Sequence, residues 1–196
     1  MCGIAGRYNG KPFPDKLIDE CSMLLARRGP DGFGVYNDGD YVQLLHSRLA
    51  IIDLTNRAAQ PFAYGEIVIS FNGEIYNYLE LRKELEKKGI VFRTESDTEV
   101  LAASWAVWGK SCLARLDGMW SLAVYDKVCN ELTLATDHFG EKPLFYASDS
   151  DSKIVFGSRV DVVALLAGIR SEPDLIQVSN ILINGYKSLN KNNNSF

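Results

Sequence analysis

Residues 119–136 read MWSLAVY, DKVCN, ELTLAT: two apolar runs rich in β-branched and aromatic residues, Met119 to Tyr125 and Glu131 to Thr136, parted by the turn residues Asp126 and Asn130. Apolar runs of this length broken by such a turn predict paired strands. Short runs of the same kind follow at Leu144 to Tyr146 and Lys153 to Phe156, set off by Gly140 and Asp149. Towards the N-terminus, Glu66 to Phe71 (EIVISF) is a further strand, and Tyr41 to Leu54 reads as extended and mostly buried.

Helices occupy other stretches. Asp15 to Arg28 places Leu17, Ile18, Cys21, Leu24 and Leu25 on one face and stops at Gly29-Pro30. Leu79 to Lys88 is amphipathic and ends at Gly89. Ser96-Asp97-Thr98-Glu99 has the form of a capping box ahead of the apolar run Val100 to Trp108, which makes Asp97 a first-turn residue. Val160 to Leu166 and Asp174 to Ile183 also read as helical. Strands and helices therefore come in blocks rather than in alternation, which predicts an α+β fold with largely antiparallel sheets. No internal repeat breaks the chain. Lys187 to Phe196 is polar and asparagine-rich, so residues 1–186 are expected to form the domain and 187–196 a tail, or a cut link towards a following domain.

The totals narrow the partners. A chain of 196 residues with 46% hydrophobic and 23% charged residues is the balance of one globular domain. A net charge of -4 gives no reason to expect nucleic acid, which would favour a basic face. No apolar run approaches the roughly 18 residues that span a bilayer, and MCGIAGRYNG lacks the regions of a secretory signal. No membrane association and a cytoplasmic location are the expectations. The four cysteines form no CxxC pair and the two histidines lie far apart, so neither a zinc site nor a disulfide framework is expected. Cys21, Cys112 and Cys129 read as small core residues.

Cys2 is different. A small second residue favours removal of Met1, and the exposed α-amine titrates near ~7.7–8.0, so it can accept the thiol proton. One residue then supplies nucleophile and general base. Gly3 and Gly6 let the backbone around it pack closely. A second candidate is Phe71 to Asn77 (FNGEIYN): Asn72 offers a side-chain N–H and Gly73 an unobstructed backbone N–H, the two donors of an oxyanion hole. Read alone, Asn-Gly after a strand is far more often just a turn. Arg48, a fixed cation within His46 to Ile52, must meet a carboxylate of the protein or of a ligand. Asp97 at a helix start can cap or bind.

Taken in order, MCGIAG (Met1 to Gly6), RRGPDG (Arg27 to Gly32), HSRLAIIDL (His46 to Leu54), QPF (Gln60 to Phe62), FNGEIYNY (Phe71 to Tyr78), SDTE (Ser96 to Glu99), LDGMWSLAVYD (Leu116 to Asp126) and DHFGEKPLFY (Asp137 to Tyr146) resemble the class II glutamine amidotransferases. RGPDG, FNGEIYN and the FG-x-KPLFY element are similar to the asparagine-synthetase branch. The likeness runs from Met1 to about Leu166.

The resemblance implies an N-terminal-nucleophile hydrolase fold, a four-layer αββα sandwich with mostly antiparallel sheets. It implies that Cys2 attacks L-glutamine to form a γ-glutamyl thioester and release ammonia. Asn72 and Gly73 then match the oxyanion hole, and Arg48 the clamp on the α-carboxylate. Asp97 matches the anchor of the α-ammonium, Glu74 helps orient that end, and Ile51 and Ile52 line the pocket through backbone groups. No cofactor is expected for this domain. ATP and magnesium are expected only for a C-terminal synthetase domain, the implied partner, since no Ser-Gly-Gly-x-Asp-Ser or G-x-x-x-x-G-K-[ST] loop occurs here. A homodimer is a further expectation. Two rival readings stand beside this one: an N-terminal cysteine amidase of another amide, and a non-catalytic regulatory or assembly module. His46 reads as a packed histidine, because no cysteine sits in a G-x-C-x-G elbow with which it could pair. The RRGPDG loop reads as structural and bordering the site.

Overall fold

The computed structural model describes residues 1–170 and 174–184. Nine strands are present among them: β1 (Gly3–Tyr8), β2 (Gly32–Asp38), β3 (Val42–Arg48), β4 (Phe62–Tyr64), β5 (Ile67–Ile75), β6 (Gly118–Asp126), β7 (Glu131–Thr136), β8 (Phe145–Ser148) and β9 (Ile154–Gly157). They form two sheets, ordered β2-β3-β1-β9-β8 and β4-β5-β6-β7. Every pairing is antiparallel. The helices are α1 (Asp15–Leu25), α2 (Tyr78–Lys87), α3 (Asp97–Trp108), α4 (Val160–Ala167) and α5 (Leu175–Asn184).

Alternation along the strands builds the layers. Val42, Leu44, Val68, Ala123, Tyr125 and Phe156 pack between the two sheets. The opposite face of β5 and β6, with Ile69, Phe71, Ile75, Trp120 and Leu122, packs on Leu81 and Leu85 of α2 and on Val100, Leu101 and Trp105 of α3. The outer face of the other sheet, with Ala5 and Leu45, packs on Cys21 and Leu25 of α1 and Val162 and Leu166 of α4. Helix, sheet, sheet, helix is the four-layer αββα sandwich. Each fully buried leucine or isoleucine contributes about 1.5–3 kcal/mol to holding it.

Some local expectations need correction. The run Tyr41 to Leu54 stays extended only as far as Arg48; beyond it the chain leaves the sheet, and Ile51 and Leu54 are exposed. That departure is fixed by an Asx turn, in which Thr55 N–H and Oγ1–H both donate to Asp53 Oδ1. FNGEI does not follow the strand but completes it, since β5 runs on to Ile75. Asn-Gly is therefore not a turn here. Helix α1 stops at Leu25, short of Arg28. Cys129 is not a core residue: it is exposed, in the turn between β6 and β7. A 3-10 segment, Gly109–Arg115, follows α3 where no element was expected. The expected segment 187–196 lies outside the described residues. The capping box is half formed. Ser96 Oγ accepts from Glu99 N–H, while the Glu99 carboxylate turns instead to the N–H groups of Arg93 and Thr94.

Candidate active site

Three strand ends and one helix start converge. Gly3 of β1 pairs with Ser47 of β3, so Cys2 lies beside the point where the chain leaves the sheet at Arg48 and Leu49. The Cys2 thiol accepts from Leu49 N–H at 3.3 Å and faces the Leu49 carbonyl at 3.6 Å. Arg28, from the RRGPDG loop, donates through Nε to the Cys2 carbonyl at 2.9 Å. Asp31 of the same loop accepts from Ala50 N–H at 2.9 Å, so the loop braces both Cys2 and the wall beside it. Burial pushes the Cys2 thiol above its ordinary range; the Leu49 hydrogen bond, the chain's N-terminus and Arg48 pull the other way. A raised thiol needs a base before it attacks.

The end of β5 supplies the donors. Amides along a strand point alternately to its two edges. Phe71 N–H donates to Gln60 Oε1 at 2.7 Å and Ile75 N–H to Asp97 Oδ2 at 3.2 Å, both on the edge away from β6. Gly73 N–H lies between them on that same edge. Its cross-strand neighbour Trp120 does not take it, because Trp120 N–H and carbonyl are both bonded to Asp137. Gly73 must be glycine: a Cβ there would stand 2.3 Å from the Met119 carbonyl oxygen. Asn72, fully buried, projects to the inter-sheet side, where its Nδ2 is 3.4 Å from Ser121 Oγ and its Oδ1 has no partner.

Arg48 reaches the carbonyls of Thr55, at 3.0 Å, and Asp53. Among the described residues it forms no ion pair. Its guanidinium is thus a positive group held in place by neutral oxygens. Asp97 opens α3 and is buried; burial raises its carboxyl to about 6, neighbouring Glu74 adds to the rise, and the N–H groups of Ile75 and Thr98 oppose it.

A single cavity of ≈ 120 Å³ has Cys2, Arg48, Ile51, Ile52, Asn72, Gly73, Glu74 and Asp97 among its lining residues. Every site residue expected from the sequence is therefore in one place, although Ile51 is 68% exposed and stands at the rim. The sequence did not single out Gln60 or Lys142, which line the same cavity. Gln60 ties β5 to α3, accepting from Phe71 N–H and donating to Thr98 Oγ1 at 3.2 Å. Lys142 is buried, with Nζ 3.3 Å from the sulfur of Met1. Their only sequence signal is membership of QPF and FGEKPLFY. His46 lies outside this lining, fully buried, with Nε2 3.0 Å from the Phe71 carbonyl; burial takes its pKa down to about 4, so the neutral ring donates there. Among the described residues no group of acidic, histidine or cysteine side chains is placed to hold a metal ion.

The layers match those of a solved amidotransferase. The glutamine phosphoribosylpyrophosphate amidotransferase from Bacillus subtilis, complexed with ADP and GMP, superposes with a TM-score of 0.70 over 85% of this chain and 44% of that one, at 22% identity. The chain belongs to the glutamine amidotransferase domain family, whose model matches residues 1–195. Among similar proteins, asparagine synthetase [glutamine-hydrolyzing] 1 of Bacillus subtilis is 36% identical over 184 residues, covering 90% of this chain and 29% of that protein. Asparagine synthetase [glutamine-hydrolyzing] 3 of the same organism is 35% identical over 188 residues, covering 92% and 30%. This chain thus spans under a third of the length of these two relatives.

Proposed function

We propose that this domain hydrolyses L-glutamine to glutamate and ammonia, with Cys2 as nucleophile after removal of Met1. The observation that carries the reading is the Gly73 amide, free between two amides that are bonded to side chains, in a cavity shared with the Cys2 thiol. The freed α-amine takes the thiol proton, and the thiolate adds to the γ-carbonyl carbon. Gly73 N–H and the Asn72 amide receive the charge that develops on oxygen. Collapse of this adduct breaks the C–N bond; the nitrogen takes the proton from the α-amine and leaves as ammonia. Water, deprotonated in turn by the α-amine, then cleaves the thioester, releasing glutamate and restoring the thiol. Arg48 binds the α-carboxylate; Asp97 and Glu74 bind the α-ammonium. One cation and two carboxylates complement an amino acid better than a simple amide, which favours glutamine over the rival amidase reading. Ile51 and Ile52 shape the rim.

Further proposals follow from the relatives' names and lengths. The ammonia feeds an ATP-dependent synthetase domain of the same protein, giving asparagine or another amidated carboxylate. ATP and magnesium would serve that domain; no cofactor serves this one. No helix among the described residues is long and apolar enough to cross a membrane, and a cytoplasmic location and a homodimer belong to the proposal. Intact-mass analysis paired with a glutaminase assay on wild type and Cys2→Ala tests the core of it. Loss of the Met1 mass, with ammonia release that vanishes in Cys2→Ala, is expected. A processed N-terminus without turnover, even beside a restored synthetase domain, would leave a binding module instead.

A further inference from the structure

Asn72 of β5 and Ser121 of β6 are direct cross-strand partners, and both are fully buried. Ser121 Oγ meets the Asn72 amide at 3.4 Å and has no other partner among the described residues. With nitrogen turned towards Ser121, Asn72 Oδ1 is buried without a donor, and one amide hydrogen is committed to a long contact. An amide can exchange its oxygen and nitrogen by a half-turn, and a hydroxyl donates as readily as it accepts. In the exchanged arrangement the hydroxyl donates to the amide oxygen, and the amide nitrogen is released with its hydrogens left for a ligand in the cavity that Asn72 lines.

We propose that Ser121 is the positioning residue of the oxyanion hole, its hydroxyl donating to Asn72 Oδ1 and so holding Nδ2 turned towards the cavity. The inference rests on the role given to Asn72 above. Backbone pairing already fixes the strands at both residues, so the side-chain torsions of Asn72 are what remains to be set. Gly73 donates from a rigid strand edge; Asn72 donates from a rotatable side chain. Of the two donors only the second needs a partner to aim it. Without the hydroxyl the donating orientation loses the hydrogen bond that selects it, and roughly nine-tenths of the population turns aside or presents oxygen, which repels the developing charge.

The test uses the full chain with processed Cys2. Ser121→Ala is expected to lower kcat for glutamine about tenfold with KM within about twofold, the mark of an interaction made in the transition state. The aldehyde analogue of glutamine adds to the thiol and places its oxygen where the oxyanion forms, so its affinity should fall by the same factor, while glutamate affinity stays unchanged. In an Asn72→Ala background, Ser121→Ala should cost nothing further. Thermal melts of the variants check that the fold is intact. An unchanged kcat and aldehyde affinity in Ser121→Ala would overturn the inference. So would losses in the two single variants that simply multiply in the double variant. A wild type that releases no ammonia sinks the glutaminase reading and this inference with it; an active wild type with an unaffected Ser121→Ala sinks this inference alone.

Discussion

Asp97 holds a charge that the fold alone would rather not keep. Its carboxyl, raised to about 6 chiefly by burial, binds its proton more tightly folded than unfolded, where it titrates near ~3.9. Between those values the folded state holds more protons, so stability falls as pH rises through the window, and the ionised form is a cost on the order of 2–3 kcal/mol above it. Asp97→Asn, which keeps an acceptor for Ile75 N–H, should raise the melting temperature at pH 7.5 and leave it little changed at pH 4, while abolishing tight glutamine binding. In the wild type, KM for glutamine should climb as pH drops below about 6, because a protonated Asp97 no longer attracts an ammonium. A flat KM between pH 5 and 8 would show that another group binds that end.

Arg48 is argued at the same scale. Lysine keeps the charge but lacks the planar fork. Arg48→Lys should raise KM by roughly 10- to 100-fold, the 1.5–3 kcal/mol of a hydrogen bond to a charged group, with kcat within a few-fold. Arg48, Asp97 and Cys2 were legible as residues, since each is a reactive or charged group at a position with its own meaning. Gln60, Lys142 and Ser121 were not: their polarity is ordinary, and only the pairing of distant strands shows what they face.

At the scale of elements, β5 is where reading and structure part most. An Asn-Gly pair carries a strong local preference for turns, yet the chain continues straight to Ile75. The reason is not local. Pairing with β6 continues along this stretch as far as Ile75 opposite Gly118, and Gly73 is spent on a close approach to the Met119 carbonyl rather than on a bend. Gly73→Ala should therefore push β5 from β6 and cost about 1–3 kcal/mol or more, seen as a lower denaturant midpoint together with lost turnover. A stable but inactive Gly73→Ala would mean that the strands part locally at no expense. The start of α3 was readable, because a capping serine is a local device; Ser96→Ala should cost about 1 kcal/mol. The short strand β4 and the 3-10 segment were not, being held by their neighbours rather than by a pattern of their own.

For the whole molecule, the fold class was legible because strands and helices fall in blocks, whereas strand order and the stacking of the sheets rest on contacts between remote residues. The weight of the sandwich lies in its three clusters and not in α5, whose Leu175, Ile176, Leu182 and Ile183 are exposed. Replacing the exposed Leu175, Ile176, Leu182 and Ile183 with serine should shift the melting temperature by less than about 2 °C, against roughly 5–15 °C for Leu101→Ala in the core. Serine replacements as costly as the core variant would show that these four side chains are packed.

The amides of Phe71, Gly73 and Ile75 leave one edge of β5, and those of the residues between them leave the other. Whether the cavity beside Cys2 receives an amide N–H is thus a question of parity. A slip of β5 by one residue against β6 would turn Gly73 inward and swing Asn72 off the cavity in the same movement. A slip by two would restore an outward amide but bring Phe71 or Ile75 to the position that only glycine fits. The strand's register admits no graded errors: a slip by one loses the outward amide, a slip by two loses the fit at the Met119 carbonyl, and a molecule that has closed its sheet correctly has by that act finished placing that amide.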